Sequence, residues 1–369
     1  MKLTISRESL LPVLERATGV VEQKSTTPVL SNVLLSTSEK GLRIIGTDLD
    51  TEISGTVDNE GIQSHGSTTV SAKKLVDICK ALPSDSIIEM SLDAGTLSLK
   101  CGRSLFHLAT LPSDDFPFLD NINLSAQITL VENEFLDLLN QTAYAMAQHD
   151  VRYYLNGLFL HANDGKITTV ATDGHRLACC SLHVSGQKDM SEVSIIIPRK
   201  GINELTRLLS SDSKTNIDLE LSDNHIRLQK GNIRFTSKLI DGKYPDYQAA
   251  IPSATLHTID LDRIQIKETL SRVAILSNEK FRGVLLKLSS GLLTIRSDNP
   301  DRETAEDSID INYTGDDFSV GFNVNYLLDA INNLTGDTIT FSLNTVESST
   351  LIQSSDNPNS MSVVMPVRL

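Results

Sequence analysis

The chain has 369 residues, of which 40% are hydrophobic and 22% charged, and its formal net charge is −14. This composition is typical of a soluble globular protein, and it excludes an intrinsically disordered chain and a membrane-embedded one. An acidic balance of this size also argues against nucleic-acid affinity over the whole surface, because contacts to phosphates need lysine and arginine.

The predicted elements follow the same order three times along the chain. Each copy opens with a strand and an amphipathic helix, at residues 2–5 and 7–17, at 127–131 and 133–146, and at 256–261 and 262–275. Pro12 lies inside the first helix and should bend or weaken it. Two strands follow in each copy, at residues 32–36 and 41–48, at 155–160 and 166–171, and at 282–288 and 291–298. Asp48, Asp173 and Asp298 hold equivalent positions, and both intervals between them (173 − 48 and 298 − 173) are 125 residues.

The second half of each copy repeats as well. A strand runs into a second helix, predicted at residues 73–82, 200–209 and 326–334, and alternating strands follow. A period of 125 residues is the size of a domain and far longer than a solenoid repeat. We therefore predict three homologous α+β domains, at residues 1–125, 126–253 and 254–369. Six similar halves suggest an arc, and head-to-tail pairing of two arcs would close a ring.

The stretch Ala171-Thr-Asp-Gly-His-Arg-Leu177 is predicted to form the tip of a hairpin, because Thr-Asp-Gly is turn chemistry. A plain β-turn is one interpretation of this tip. Asp173 and His175 could also belong to a hydrolase, but a catalytic triad needs a nucleophile, a base and an orienting group within hydrogen-bond reach. The sequence contains no G-x-S-x-G motif. We therefore predict no catalytic residue.

The cysteines and histidines predict neither a metal site nor a cofactor. The four cysteines form no C-x-x-C pair, and the eight histidines are scattered without ligand spacing. Free thiols are typical of a reducing compartment. The first eight residues carry charges where a signal peptide would need an apolar core, so we expect a cytoplasmic protein.

Six stretches, taken in order, carry a resemblance to a known family. They are Asp150-Val-Arg-Tyr-Tyr-Leu-Asn-Gly157, Ala171-Thr-Asp-Gly-His-Arg-Leu177, Ile197-Pro-Arg-Lys-Gly201, Ile275-Leu-Ser-Asn-Glu-Lys-Phe-Arg-Gly283, Gly321-Phe-Asn-Val-Asn-Tyr326 and Val363-Val-Met-Pro-Val-Arg-Leu369. Together they resemble the bacterial DNA polymerase III beta subunits, the replication sliding clamps, over the whole chain, and most closely those of the γ-proteobacterial type. The number and order of the stretches carry this resemblance more than any one of them.

The resemblance implies a fold and a set of partners. The fold would be the DNA clamp, in which two chains of three domains close a ring, with helices inside and sheets outside. The ring would be a homodimer that encircles duplex DNA without sequence preference and slides along it. A peptide-binding groove would tether the replicative polymerase alpha subunit, the clamp loader delta subunit and other proteins with a clamp-binding motif. No enzymatic activity, cofactor or membrane contact is implied.

Basic residues concentrate on two of the predicted helices, in spite of the acidic total. Lys73, Lys74 and Lys80 lie on one helix, and Arg199, Lys200 and Arg207 on another. Such residues could make weak, salt-sensitive phosphate contacts, although a solvated helix face is the alternative. In the family, position 149 belongs to a polar pair, which here reads Gln148-His149. The predicted DNA-binding residues are Lys24, Lys73, His149, Tyr153, Tyr154, Arg199 and Lys200.

The resemblance also implies the residues of the peptide groove. Val367 stands where methionine is common in the family, and Gln248-Ala249-Ala250 stands where Arg-Arg-Val is frequent. These differences predict altered partner affinity. An ordinary last strand is an alternative interpretation of residues 363–367. The predicted groove residues are Leu155, Thr172, Gly174, His175, Arg176, Leu177, Pro245, Asn323, Tyr326, Ser349, Val363, Val364, Met365, Pro366, Val367, Arg368 and Leu369.

The dimer contact should join the first domain of one chain to the third domain of the other, with basic residues facing acidic ones around an apolar centre. A solvated acidic loop is the alternative for residues 301–307. The predicted interface residues are Lys74, Arg103 and Phe106 on one side, and Ile275, Leu276, Glu303, Glu306 and Asp307 on the other.

Two other functions stay open on the sequence alone. One is an enzyme that uses His175, either as a hydrolase or with a bound nucleotide, although the sequence contains no P-loop and no G-x-G-x-x-G motif. The other is a scaffold that uses the peptide groove without encircling DNA.

Overall fold

The computed structural model describes the chain except for residues 23–25, 59–60, 120–121, 123–125, 185–191, 254 and 369. Within the described residues there are six α-helices and 25 β-strands. None of the helices among these residues is long and apolar enough to cross a membrane. The helices are α1 (Arg7–Thr18), α2 (Ala72–Ala81), α3 (Glu132–Ala143), α4 (Arg199–Leu208), α5 (Arg263–Ala274) and α6 (Val324–Asn333).

The strands fall into three series, one for each predicted repeat. The first series is β1 (Lys2–Ser6), β2 (Asn32–Ser38), β3 (Gly41–Thr47), β4 (Thr51–Val57), β5 (Ile62–Ser64), β6 (Gly66–Ser71), β7 (Ile87–Asp93), β8 (Thr96–Cys101) and β9 (Ser104–Leu111). The second is β10 (Ala126–Val131), β11 (Gly157–Asn163), β12 (Lys166–Thr172), β13 (Arg176–His183), β14 (Val193–Pro198), β15 (Asn216–Leu221), β16 (His225–Lys230) and β17 (Ile233–Lys238). The third is β18 (His257–Asp262), β19 (Gly283–Ser289), β20 (Leu292–Asp298), β21 (Thr304–Asp310), β22 (Phe318–Asn323), β23 (Thr338–Leu343), β24 (Thr350–Ser354) and β25 (Ser360–Val364).

The chain divides into two compact units. The first comprises Met1–Asn133 and Asn203–Leu239. Its strands form one 13-stranded sheet in the order β10-β15-β16-β17-β4-β3-β2-β6-β9-β8-β7-β1-β5. In this sheet β17 pairs antiparallel with β4, so that Phe235 lies opposite Ile53 and strands of two predicted repeats become one surface.

The second unit comprises Glu134–Ile202 and Ile240–Leu369. Its larger sheet has the order β14-β11-β12-β13-β25-β24-β23-β18, and its smaller one β21-β20-β19-β22. Strand β13 pairs antiparallel with β25, which places Leu177 opposite Val363. This pairing brings the hairpin formed by β12 and β13 next to the C-terminal segment.

Alternating burial explains how the helices pack on these sheets. Strand β23 alternates exposed or half-buried residues with buried ones, because successive side chains of a strand point to opposite faces. Ile266 and Leu270 of α5 and Leu327 of α6 are fully buried and share one core cluster with strand residues such as Leu286. Burial of each such leucine or isoleucine contributes roughly 1.5–3 kcal/mol.

The predicted elements agree with these bounds to within two residues, apart from three differences. Helix α1 runs through Pro12, because Leu10 and Leu14 on its other face are fully buried while Pro12 is exposed. Helix α3 ends at Ala143 and does not extend to residue 146. Leu155 lies in a short 3-10 helix, Tyr153–Asn156, and the predicted strand starts only at Gly157.

The cysteines are free thiols in the structure. Cys101 is half-buried, whereas the three buried cysteines are Cys79, Cys179 and Cys180. Burial raises the pKa of Cys79 and of Cys180 to about 11 and that of Cys179 to about 12. Among the described residues, no group of three or more histidine, cysteine, aspartate or glutamate side chains could hold a metal ion.

Candidate functional site

The hairpin tip between β12 and β13 is held by its own side chains. Oδ1 of Asp173 accepts hydrogen bonds from the backbone N–H groups of His175 (2.9 Å) and Arg176 (3.0 Å). Thr172 donates its hydroxyl to the carbonyl of Arg176 at 2.6 Å. Gly174 has φ +86°, and a Cβ atom there would lie 2.9 Å from the guanidinium of Arg152. The aspartate acceptor therefore closes the turn, and the close approach of Arg152 favours a glycine at position 174.

Arg176 connects this tip to α6. Its Nε donates to Asp173 (3.1 Å), its Nη1 to Asp329 (2.5 Å) and its Nη2 to the carbonyl of Tyr144 (3.0 Å). The guanidinium also lies over the ring of Tyr326, 4.6 Å from its centroid. Only 13% of the Arg176 side chain is exposed. All three of its nitrogens thus have partners within the second unit, and the residue fixes the hairpin against the helix.

A groove of about 370 Å³ lies beside the hairpin tip. Its floor belongs to an apolar cluster that includes Leu155, Leu177 and Val363, all buried, and Tyr244, which stacks on Phe159 at 4.9 Å. Ten predicted groove residues line it: Leu155, Thr172, Gly174, His175, Arg176, Leu177, Pro245, Ser349, Val363 and Met365. The cavity thus combines an apolar floor with a polar rim.

Five further residues line this groove and were not predicted for it. They are Arg152, Tyr154, Asp246, Tyr247 and Ala250. Tyr154 was predicted to contact DNA. Its ring packs edge-on against that of Tyr153, and Tyr153 is the more exposed of the two. Pro245 was a predicted groove residue, and its position in the sequence could have indicated that the residues directly after it also line the groove.

The other predicted groove residues lie around the cavity. Asn323 caps the start of α6, and Tyr326 packs between Arg176 and His175. Met365 continues the pairing of β25 by donating its N–H to the carbonyl of His175 at 2.9 Å. The remaining tail residues are Pro366, which is half-buried, Val367, whose N–H donates to the carbonyl of Gly321 at 2.9 Å, and Arg368, which pairs with Glu347 at 2.6 Å.

Two of the groove predictions need correction or fall outside the structure. Val364 does not line the groove: it is buried in the core of the C-terminal repeat, because neighbouring residues of a strand face opposite sides. Leu369 lies outside the described residues.

The predicted DNA-binding residues differ in their exposure and in their contacts within the chain. Lys73 is exposed on α2 and forms an ion pair with Asp77 at 2.8 Å. His149 is exposed with φ +57°, and Tyr153 is 57% exposed. Lys200 is half-buried at the start of α4, and Lys24 lies outside the described residues.

Arg199 was predicted to contact DNA, but its side chain also forms hydrogen bonds within the chain. Its Nη1 donates to the carbonyls of Met146 (2.7 Å) and Ala147 (3.2 Å). One end of the guanidinium therefore holds the loop after α3.

The predicted interface residues include exposed apolar and charged side chains. Ile275 is 76% exposed directly after α5, and Leu276 is half-buried. Glu303 and Glu306 are exposed, as are Lys74 and Arg103, while Phe106 packs partly on the core of the first unit. Leu105 and Phe281, which are 57% and 64% exposed, were not predicted.

Asp307 was predicted to face a basic residue of the other chain, but it already has a cationic partner in its own chain. Its carboxylate already forms an ion pair with Arg272 of the same chain at 2.8 Å. Hydrogen bonds from Arg272 hold the pKa of Asp307 below its usual value. The other two predicted acidic partners, Glu303 and Glu306, are the more exposed ones.

Comparison with known proteins places the chain among proteins of the same length and fold. Models of the DNA polymerase III beta subunit match over its N-terminal domain (residues 1–120), central domain (129–246) and C-terminal domain (248–368). The beta sliding clamps of Pseudomonas aeruginosa and Escherichia coli are 45% and 39% identical to it, with 100% of each chain covered. A crystal structure of the Pseudomonas aeruginosa clamp bound to griselimycin superimposes with a TM-score of 0.95 at 45% identity, covering 100% of both chains. The structure of the Caulobacter crescentus pol III beta protein superimposes with a TM-score of 0.94 at 36% identity, and the match again covers 100% of both chains.

Three clamp domains in sequence, matched over their full length by solved clamp structures, define the class: a DNA sliding clamp with the DNA clamp fold. The resemblance seen in the sequence is thereby confirmed, and several of the relatives are γ-proteobacterial. The chain belongs to the DNA polymerase III beta subunit family. The members of this family are processivity factors without catalytic activity. The alternative interpretation of His175 as a hydrolase residue is therefore wrong.

Proposed function

We propose that this chain is the processivity clamp of a replicative DNA polymerase. Two copies close a head-to-tail ring around duplex DNA, and each copy binds the polymerase alpha subunit, the clamp loader delta subunit and other partners through the groove beside the hairpin tip. The ring acts in the cytoplasm. Its repeats have boundaries near residues 125 and 253. The observation that carries the proposal is the groove, formed by residues from two repeats within one compact unit.

The groove suits a short peptide. An apolar floor formed by Leu155, Leu177 and Val363 can bury the apolar side chains of a guest. Met365 lines the cavity and is 44% exposed, and its flexible thioether can adapt to guests of different shape. The hydrogen bonds within the turn and from Arg176 keep the rim rigid, which lowers the entropy lost on binding.

Deletion of the C-terminal segment tests the groove. We expect removal of residues 365–369 to abolish binding of the polymerase alpha subunit, measured by surface plasmon resonance, and to leave the dimer intact in size-exclusion chromatography. Lys267→Ala is the control, because this lysine is exposed on α5, lies outside the groove lining and is not a predicted groove residue. Loss of the dimer on deletion would contradict the assignment of this segment to the groove.

Retention on DNA separates a clamp from a DNA-free scaffold. After loading by the clamp loader, the protein should stay on a closed circle and leave when the circle is cut, because enclosure, not adhesion, holds it there. A scaffold that uses only the groove would show no difference between circular and linear DNA.

The double variant Ile275→Ala with Leu276→Ala tests the ring interface. We expect it to elute as a monomer, because truncation removes the apolar centre of the contact. Ile264→Ala, a change of an isoleucine that is 55% exposed on the preceding helix α5, is the control and should remain dimeric. An unchanged dimer mass in the double variant would place the interface elsewhere.

A further inference from the structure

The cations at the groove are already neutralised by carboxylates of the same chain. Arg152 forms a two-pronged contact with Asp150, at 3.0 Å and 2.9 Å. This contact, and first of all its side-chain hydrogen bonding, lowers the pKa of Asp150 to about 2, so the carboxylate is charged at neutral pH. Arg176 is held between two carboxylates, those of Asp173 and Asp329. A negatively charged guest would have to compete with these internal partners.

One carboxylate of the groove wall has no such partner. Asp246 lines the cavity, is exposed, and accepts a hydrogen bond from the backbone N–H of Gln248 at 3.1 Å. Within the described part of the chain it forms no ion pair. The three residues after Tyr247 are Gln248, Ala249 and Ala250, which bring no positive charge to this wall.

Two tyrosines lie near these carboxylates, and burial is the main cause of their raised pKa values. Burial raises the pKa of Tyr326, and the charge of Asp173 raises it further. Burial likewise raises the pKa of Tyr247, and the charge of Asp246 is the smallest of the contributions to that shift. The groove thus has one arginine shared by two carboxylates, one arginine matched by one carboxylate, and a free Asp246.

We propose that this groove selects its guest peptides by charge, binding a segment with a cationic side chain beside its apolar anchors more tightly than the same segment with an acidic one. The inference rests on the proposed function of the groove as a peptide site, and it adds Asp246 as the residue that determines the preference. An exposed carboxylate attracts a cation and repels an anion only modestly, so the expected difference between the two guests is roughly two- to five-fold.

The experiment uses a labelled peptide from the replicative polymerase alpha subunit that binds the clamp, remade with lysine, serine or aspartate between its apolar anchors. Dissociation constants are measured by fluorescence anisotropy with the full-length protein at about pH 8, above the range in which histidine titrates. The lysine peptide should bind most tightly and the aspartate peptide least tightly. The difference should disappear at about 1 M salt, where the screening length is about 3 Å.

Asp246→Asn should remove most of the difference between the lysine and aspartate peptides, with the serine peptide as the reference for any change that is common to all three. Asp241→Asn, a change at an exposed carboxylate of the same segment that does not line the groove, should leave the difference unchanged. The inference is overturned if the aspartate peptide binds as tightly as the lysine peptide, or if Asp246→Asn has no effect on their ratio. Failure of all three peptides to bind would instead overturn the proposed function of the groove, and this inference with it.

Discussion

Replacement of Arg176 by alanine should destabilise the second unit far more than replacement of Arg152, although both arginines line the groove. The change removes three hydrogen bonds, and it leaves the carboxylate of Asp173, only 17% exposed, without its cation. It also leaves the carbonyl of Tyr144 without this donor.

The expected size follows from the burial of these groups. Breaking a buried ion pair by removing one partner costs about 3–5 kcal/mol, because the other charge stays desolvated. Asp329 is 44% exposed, so its share is reduced by solvent. We therefore expect Arg176→Ala to lower the free energy of unfolding by about 2–4 kcal/mol. Arg176→Lys should recover only part of this loss, since an ammonium group cannot form the same planar fork.

The assay is urea unfolding followed by far-UV circular dichroism, because the sequence contains no tryptophan for fluorescence. Arg152→Ala is the control: its side chain is 47% exposed and should tolerate truncation with little loss of stability. A double-mutant cycle of Arg176→Ala with Asp329→Ala should give a coupling energy above about 0.5 kcal/mol. A loss below about 0.5 kcal/mol for Arg176→Ala, or an equal loss for both arginines, would refute this account of the network.

Three further predictions concern packing, pH and thiol chemistry. Gly46→Ala should cost about 2 kcal/mol or more in urea unfolding, because a methyl group there would clash with the backbone of α1, whereas Gly95→Ala, in open space at φ +78°, should cost about 1 kcal/mol. Hydrogen bonds from Arg152 lower the folded-state pKa of Asp150 to about 2, so the stability that this carboxylate contributes is present above its unfolded pKa of 3.8 and is lost as pH falls toward 2. The difference in unfolding free energy between the wild type and Asp150→Asn should shrink over that range, and an unchanged difference would contradict the shift. In native protein at about pH 8, a thiol reagent should modify Cys101 first and the three buried cysteines only after unfolding; equal rates for all four would show that the burial is wrong.

Repetition made most of the fold predictable from the sequence. The equivalent aspartates at 48, 173 and 298 fix the register of three copies, and the helix in each copy follows its strand in the same order. Local propensity was less reliable than packing: Pro12 indicated a weakened helix, but the buried face of α1 keeps it continuous. The sequence also did not reveal that Leu155 leaves the strand, because a leucine among apolar neighbours fits a strand and a 3-10 turn equally well.

The groove was predictable in outline but not in its electrostatics. The residues that line it were found by resemblance, and one strand neighbour, Val364, was included although the alternation of β25 turns it into the core. Asp246 and Tyr247 were missed because they lie on an irregular segment without a periodic pattern. The pairing of Asp307 with Arg272 was equally invisible, since 35 residues separate them along the chain.

The same turn occurs in both units, but only the turn of the second unit lines the groove described above. In the first unit, Oδ1 of Asp48 accepts from the N–H of Thr51 at 2.6 Å, as Asp173 does from Arg176 in the second. Leu49 has φ +80° at the position equivalent to Gly174, so the backbone of the turn is retained even with a side chain. The residue directly after Thr51 and after Arg176 differs in chemistry between the two units.

At that position the first unit has Glu52, which is 2% exposed and accepts a hydrogen bond from the N–H of Leu119 at 3.0 Å. The second unit has Leu177, which contributes an apolar side chain to the groove floor. A buried carboxylate must be satisfied by hydrogen bonds, and here its partner is the backbone N–H of Leu119, whereas a leucine at this position adds to an apolar surface. Repetition therefore supplies the same turn in both units, and the residue after it either bonds the backbone at Leu119, as Glu52 does, or joins the apolar floor of the groove, as Leu177 does.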